Sequence, residues 1–236
     1  MAYVIAIAGK GGTGKTTIAS MLVRFLVESK AGSVLAVDAD PNSNLGETLG
    51  VKTSESIGEI LDRVAQNLDK IPGGMTKDRF IEFEVQSAVK EADGFDLLSM
   101  GKPEGPGCYC YVNNVLRGCL EKLIRDYDYV VIDNEAGMEH LSRRTSRSAD
   151  CLLLVAEAKP VALKAVERIA DLAAKLQLKI KKKMVLINKG GAEGSIPLDQ
   201  DLFDLSTRGG SVWELDPGCR AFKALEKAAV EIIAAT

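Results

Sequence analysis

The sequence predicts an α/β fold, a mostly parallel β-sheet with helices on both faces, formed as a single domain over residues 1–236. Three observations carry this. Short, almost wholly apolar runs alternate with longer stretches of helical periodicity, the pattern of a parallel sheet buried on both sides. The first apolar run, Val4-Ile5-Ala6-Ile7-Ala8, passes directly into the octapeptide Gly9-Lys10-Gly11-Gly12-Thr13-Gly14-Lys15-Thr16 and then into a helix pattern. Carboxylates close later runs, at the strand ends where an open parallel sheet collects its ligands. A chain of 236 residues, 46% of them hydrophobic, is long enough to bury the core such a sheet needs.

In chain order, strands are expected at Val4–Ala8, Val34–Asp38, Phe95–Ser99, Tyr129–Asp133, Leu152–Ala156, Met184–Asn188 and Ser211–Leu215. Helices are expected at Thr16–Glu28, Ile57–Leu68, Asn113–Asp126, Val161–Gln177 and Arg220–Ala234. Residues 54–93 read as a surface excursion, broken by Ile71-Pro72-Gly73-Gly74.

Composition narrows the function classes. A net charge of −3 argues against a nucleic-acid partner, which draws on clustered Lys and Arg. The basic runs Lys179-Ile180-Lys181-Lys182-Lys183 and Arg143-Arg144 read as solvated edges or strand entrances. No basic region precedes the first apolar run, which is too short for a signal peptide, and no apolar stretch is long enough to span a bilayer. An odd count of five cysteines points to thiols in a reducing cytoplasm, not to a disulfide frame. A cytoplasmic protein with no membrane partner is the expectation.

The octapeptide reads as a phosphate cradle. A strand that ends in a Gly-rich turn and opens a helix aims backbone N–H groups and the helix dipole at one point. Lys15 would reach the terminal phosphates of a nucleotide, and the Thr16 hydroxyl, with Thr17 beside it, would face Mg²⁺. The same residues also fit Gly-x-Gly-x-x-Gly, from Gly9 through Gly11 to Gly14, with Asp38 at about the distance a dinucleotide fold uses for its ribose carboxylate. Lys15-Thr16 decides for a nucleoside triphosphate, because a dinucleotide site needs neither an ammonium nor a metal-binding hydroxyl there.

Further residues join this cradle. Asp38 and Asp40 share a face at the end of their strand. Asp133 ends an apolar strand as a Walker-B carboxylate does, and reaches Mg²⁺ through water. Gly137 can bring a backbone N–H against the terminal phosphate. Asn188 can bond an adenine edge and Asp216-Pro217 can supply backbone contacts to the base; a helix cap or simple turn explains Asn188 and Pro217 about as well. Lys189 is followed by Gly190-Gly191, not by the x-Asp of guanine-specific proteins, which favours ATP over GTP.

Cys108 and Cys110 sit two residues apart ahead of a helix, where a thiol is biased toward thiolate. Two soft ligands are too few for Ni²⁺ or Zn²⁺, which want four; a two-fold dimer supplies them. Cys119, Cys151 and Cys219 lack ligand spacing and read as buried packing. His140, the one histidine, reads as an interface or helix-surface residue.

Lys10 in Gly-Lys-Gly-Gly-x-Gly-Lys-Thr resembles the deviant Walker motif of the P-loop NTPase family that includes MinD, the partition ATPases and the nitrogenase iron protein. The resemblance implies a MinD-like fold and an ATP-dependent homodimer in which Lys10 crosses to the partner's nucleotide. It also implies that Asp38 meets the magnesium's water shell and that Asp40 positions the attacking water. Cys-x-Cys followed by Asn113-Asn114-Val115-Leu116-Arg117, together with Asp133-Asn134-Glu135-Ala136-Gly137-Met138-Glu139-His140-Leu141, closely resembles the CooC-type ATPases. These are nickel-insertion accessory proteins of carbon monoxide dehydrogenase, related to acetyl-CoA synthase maturation factors. Together the two resemblances imply an ATPase, catalytic through Lys10, Lys15 and Asp40, that holds Ni²⁺ between paired Cys-x-Cys loops and releases it to a client nickel enzyme. An iron–sulfur cluster carrier and a MinD-like or partition-type regulator are the alternatives. Glu135 stands where MinD and many relatives have proline, and the C-terminal segment lacks the basic face that a lipid surface requires.

Overall fold

A computed structural model describes residues 2–40, 44–52, 55–66, 71, 73–101, 110–135 and 148–234, with backbone alone for 65 and 110–114. Its centre is an eight-stranded sheet: β1 (Tyr3–Gly9), β2 (Val34–Ala39), β3 (Lys90–Glu91), β4 (Asp96–Ser99), β5 (Tyr129–Asn134), β6 (Ser148–Glu157), β7 (Lys179–Gly190) and β8 (Ile196–Pro197). Across the sheet the order is β3-β4-β2-β5-β1-β6-β7-β8. All pairings are parallel except β3 with β4. The winding reverses at β1, with β5 on one side and β6 on the other, so a crevice opens at its carboxyl end.

Side-chain alternation sorts the strands between two cores. Ile5, Ile7, Ala36 and Val131 face α1 (Lys15–Glu28), α2 (Asn44–Thr48) and the C-terminal helix (Arg220–Ile233). Val4, Ala6, Ala8, Val37 and Ile132 face α3 (Ile57–Gln66), α4 (Lys77–Ser87), α5 (Cys110–Arg125) and α6 (Pro160–Lys175). The helix Gln200–Thr207 is α7 and Arg220–Ile233 is α8. Cys119, Cys151 and Cys219 are buried free thiols, as their apolar settings predict.

The basic run Lys179 to Lys183 opens β7. Strand β8 pairs with β7 only at Asn188 and Gly190, so among the described residues the start of β7 is a sheet edge. Lysines there keep the unpaired backbone from recruiting another strand. Two of them are tied down: Lys181 to Asp150 at 2.7 Å, and Lys182 to the Glu231 carbonyl at 2.6 Å.

Three expectations need correction. Ser211–Leu215 is not a strand but a 3₁₀ turn, Val212–Glu214. Ser211 Oγ accepts from Trp213 N, while Glu214 Oε1 accepts from Ser211 N at 2.8 Å, a reciprocal cap that a strand cannot offer. Buried Arg24 fixes the turn from α1, donating through one guanidinium nitrogen to the Val212 and Leu215 carbonyls at 2.7 Å each. Helix α5 begins at Cys110, ahead of Asn113, and the excursion at 54–93 holds, besides the expected helix at α3, a further helix α4 and the antiparallel strand β3.

Candidate functional site

The site is assembled at the carboxyl ends of β1, β2 and β5. Gly9 lies in register with Val155 of β6, and a Cβ there would drive into the Val155 carbonyl. Only glycine lets the loop leave the sheet at this point. Thr13 ties the loop to itself: its hydroxyl donates to the Lys10 carbonyl at 2.8 Å. Gly14 has φ +88°, and a side chain there would collide with the Asn188 amide, so its glycine is required twice over.

Helix α1 starts immediately after Gly14 with no side-chain cap. The first main-chain bond into the helix runs from Ile18 N to Gly14 O at 2.9 Å. The N–H groups of Lys15, Thr16 and Thr17 therefore have no carbonyl within the helix, and they sit at the positive end of its dipole. This is an anion site by construction. A cavity of about 520 Å³ opens there, lined on the loop side by Gly11, Gly12, Gly14, Lys15, Thr16 and Thr17.

The carboxylates stand in a row beneath it. Asp38 and Asp133 are register partners on β2 and β5, both almost wholly buried on the α1 face. Thr16 Oγ1 donates to Asp133 Oδ2 at 2.6 Å. Asp38 accepts from Leu45 N at 2.8 Å and from Asp40 N at 3.2 Å. Burial lifts the Asp38 carboxyl to about 7, with Asp133 adding to the rise and the Leu45 bond opposing it. Burial lifts Asp133 to about 6, opposed by the Thr16 bond and by the charge on Lys15. Asp133 Oδ1 is buried without a hydrogen-bond partner. A buried carboxylate oxygen with no donor, beside a threonine hydroxyl and a second carboxylate, fits a hydrated Mg²⁺ held through Thr16 and, by way of water, Asp133 and Asp38. Asp40 lines the cavity mouth.

Other predicted residues lie as follows. Lys10 is exposed at the start of the loop. Asn188 is buried and lines the cavity, its amide donating to the Thr13 carbonyl at 2.8 Å. Pro217 is exposed in the turn ahead of α8 and is not among the residues that line the cavity. Cys108, Gly137 and His140 lie outside the described residues, and of Cys110 only the backbone, the first residue of α5, is described.

The far wall of the cavity has no counterpart among the residues that the sequence motifs single out. It is built by Asn44, Pro197, Leu198, Asp199, Leu202, Phe203 and Ser206. Leu198 and Phe203 are exposed apolar side chains facing a phosphate loop, a surface suited to a planar base. Asp199 builds this wall. Its Oδ1 accepts from Asp201 N and Leu202 N at the start of α7, and its Oδ2 accepts from Arg220 N and Ala221 N at the start of α8. An Asp at an N-cap ahead of an amphipathic octad, Asp199 before Gln200–Thr207, was the legible signal.

Known proteins agree with this geometry. A family model described as an AAA domain matches residues 2–186. The uncharacterized ATP-binding protein MJ0685 of Methanocaldococcus jannaschii is 38% identical, with 98% of each chain covered. The carbon monoxide dehydrogenase accessory protein CooC of Rhodospirillum rubrum is 31% identical over 92% of this chain and 91% of its own. In fold, the septum site-determining protein MinD of Pyrococcus horikoshii OT3, complexed with Mg-ADP, superposes with a TM-score of 0.70 at 21% identity, covering 99% of this chain and 96% of that one. An uncapped helix start behind a Gly-rich loop, two buried carboxylates beside it and these likenesses together make the chain a member of the AAA domain family, an ATPase with the MinD/ParA-type fold.

Proposed function

We propose that this ATPase is a cytoplasmic homodimeric metallochaperone that carries Ni²⁺ between paired Cys-x-Cys loops and delivers it to a carbon monoxide dehydrogenase or acetyl-CoA synthase. The observation that carries the reading is the likeness to CooC along nearly the whole chain, in a sequence that also has Cys108 and Cys110 at the entry to α5. A single chain offers two thiolates there, and a second copy completes a four-sulfur site for Ni²⁺, or for Zn²⁺ in its absence.

In this reading the residues divide the work. Amides of Gly11 to Thr17 and the Lys15 ammonium bind and orient the ATP phosphates, with Gly9 giving the loop its exit from the sheet. Mg²⁺, when bound, neutralises charge on the phosphoryl oxygens. Thr16, Asp38 and Asp133 keep its water shell in place, Asp40 orients the attacking water, and Lys10 reaches the partner's nucleotide. Gly137 bonds the terminal phosphate and so senses its loss. Asn188, which lines the cavity, borders the base; Pro217, which does not line it, takes no part in this reading. Closure of the dimer around ATP reshapes the metal loops, and hydrolysis relaxes them.

An anaerobic Ni²⁺ titration of the reduced protein tests this. Sulfur-to-nickel charge-transfer absorption should saturate at about one metal per two chains, and should be lost in the Cys108→Ser/Cys110→Ser variant. A protein purified brown, with visible absorption of its own, would make it an iron–sulfur carrier instead. No thiolate-dependent metal at all would leave a MinD- or partition-type regulator.

A further inference from the structure

We propose that Lys189, steered by Glu157, is a positioning residue for the phosphate loop. In a regular strand Asn188 and Lys189 would point to opposite faces of the sheet. Here they do not. The register of β7 against β8 shifts between Asn188 and Gly190, and Lys189, the residue inside that bulge, has φ +56°. A left-handed conformation is costly for a side chain with a Cβ, and a bulge re-aims the residue that occupies it. The outcome is that neighbouring residues reach neighbouring carbonyls of one loop. Asn188 donates to Thr13 O at 2.8 Å and Lys189 Nζ donates to Gly12 O at 3.2 Å.

Capture of these carbonyls orients the loop. Because the peptide is planar and trans, turning the Thr13 carbonyl toward Asn188 turns the Gly14 N–H the other way, toward the cavity. The Lys189 bond fixes the next peptide back, between Gly12 and Thr13, whose N–H donates to the Lys10 carbonyl at 3.3 Å and so closes the turn of the loop. Glu157, at the end of β6, holds the ammonium over the loop at 3.1 Å and is itself held by Lys159 at 2.6 Å. Both lysines keep the Glu157 carboxyl below its ordinary range. Lys189 lines the cavity, yet its proton goes to the protein's own backbone.

The alternative is that Lys189 serves the nucleotide directly, and Glu157 separates the two by sign. If Lys189 acts through the loop, Glu157→Gln loosens the tether and weakens ADP binding; if the ammonium binds phosphate, its release from Glu157 tightens ADP binding. The experiment is ADP affinity by calorimetry on the whole chain, with loop exchange followed by hydrogen–deuterium mass spectrometry. Lys189→Met should weaken ADP by about three- to tenfold, and Glu157→Gln should weaken it in the same direction. The double variant should be no worse than Lys189→Met alone, and Lys189→Arg should recover most of the loss. Amides of residues 10–14 should exchange faster in Lys189→Met, with those of α8 unaltered. Tighter ADP binding in Glu157→Gln, additive losses in the double variant, or wild-type affinity in Lys189→Met would each overturn the proposal. Should Lys189→Met fail to fold, Glu157→Gln carries the test by its sign. The inference rests on nucleotide binding by the loop, for which the wild-type titration is the control: a wild-type chain that ignores ADP would count against that reading instead.

Discussion

Asp38 and Asp133 hold the site's stored electrostatic energy. Their carboxyls, lifted by burial to about 7 and about 6, bind protons in the folded chain that the unfolded chain has released. Stability therefore falls as pH rises from the ordinary carboxylate value through the folded values, and is flat beyond them. In metal-free buffer the chain should melt at a higher temperature near pH 5 than near pH 8, with Asp38 alone accounting for roughly 2–3 kcal/mol of the change. Asp38→Asn should flatten the slope; an unaltered slope would show that these carboxyls are ionised in common water. Mg²⁺ with nucleotide should stabilise the wild type most at the high-pH end, where both carboxylates are charged. At Gly14, substitution by Ala meets both the left-handed backbone and the Asn188 amide, so Gly14→Ala should remove measurable ADP binding while the circular dichroism of the sheet persists. These residues were readable because a phosphate loop spells its chemistry in consecutive letters. The Asn188 and Lys189 contacts were not, since strict alternation sends adjacent strand residues apart and only the bulge brings them together.

Among the elements, strands buried on both faces announced themselves and capped turns did not. Ser211-Val212-Trp213-Glu214-Leu215 has the Val and Trp that strands favour, but it also carries Ser and Glu at cap spacing, and a long-range partner decided between them. That partner is Arg24, which spends its guanidinium on the two turn carbonyls and on Glu28, and lies 4.5 Å from the Phe222 ring centroid. Arg24→Met strips the Leu215 carbonyl of its Arg24 donor, leaves the Val212 carbonyl with Leu215 N alone, and should cost about 2–4 kcal/mol in urea unfolding. Asp199 joins α7 to α8 in the same manner, one carboxylate serving two helix starts. Asp199→Ala should lose about 2–3 kcal/mol, and Asp199→Asn, which keeps one acceptor, about half of that. The same substitutions should raise the KM for ATP, because Asp199 also builds the cavity wall.

For the whole molecule, the sheet order decides which strand tips gather at the phosphate loop. Reversal of winding at β1 puts the phosphate loop between the Asp133 strand and the strand whose end carries Glu157, with the Asp38 strand one place further. The loop therefore borders several strand tips at once, and among the described elements α5, which begins at Cys110, is the next after β4. Exposed Lys10 belongs to this scale as well. Lys10→Ala should abolish ATP-dependent dimerisation in light scattering along with most ATP hydrolysis; hydrolysis at the wild-type rate would end the idea of a crossing lysine. At this scale the octapeptide made an ATPase legible, whereas the homodimer and the shared thiolate site are expectations from Lys10 and Cys-x-Cys that belong to the proposed function.

In the proposed function, nucleotide state and metal are linked through that dimer. Anaerobic Ni²⁺ titration of the chain loaded with Mg-ADP and, separately, with a non-hydrolysable ATP analogue reads this linkage without an intermediary. Thiolate-dependent binding should reach about one Ni²⁺ per two chains in at least one state, with affinities that differ by about fivefold or more between the two. Equal affinities in the two states, or binding that survives loss of Cys108 and Cys110, would contradict it.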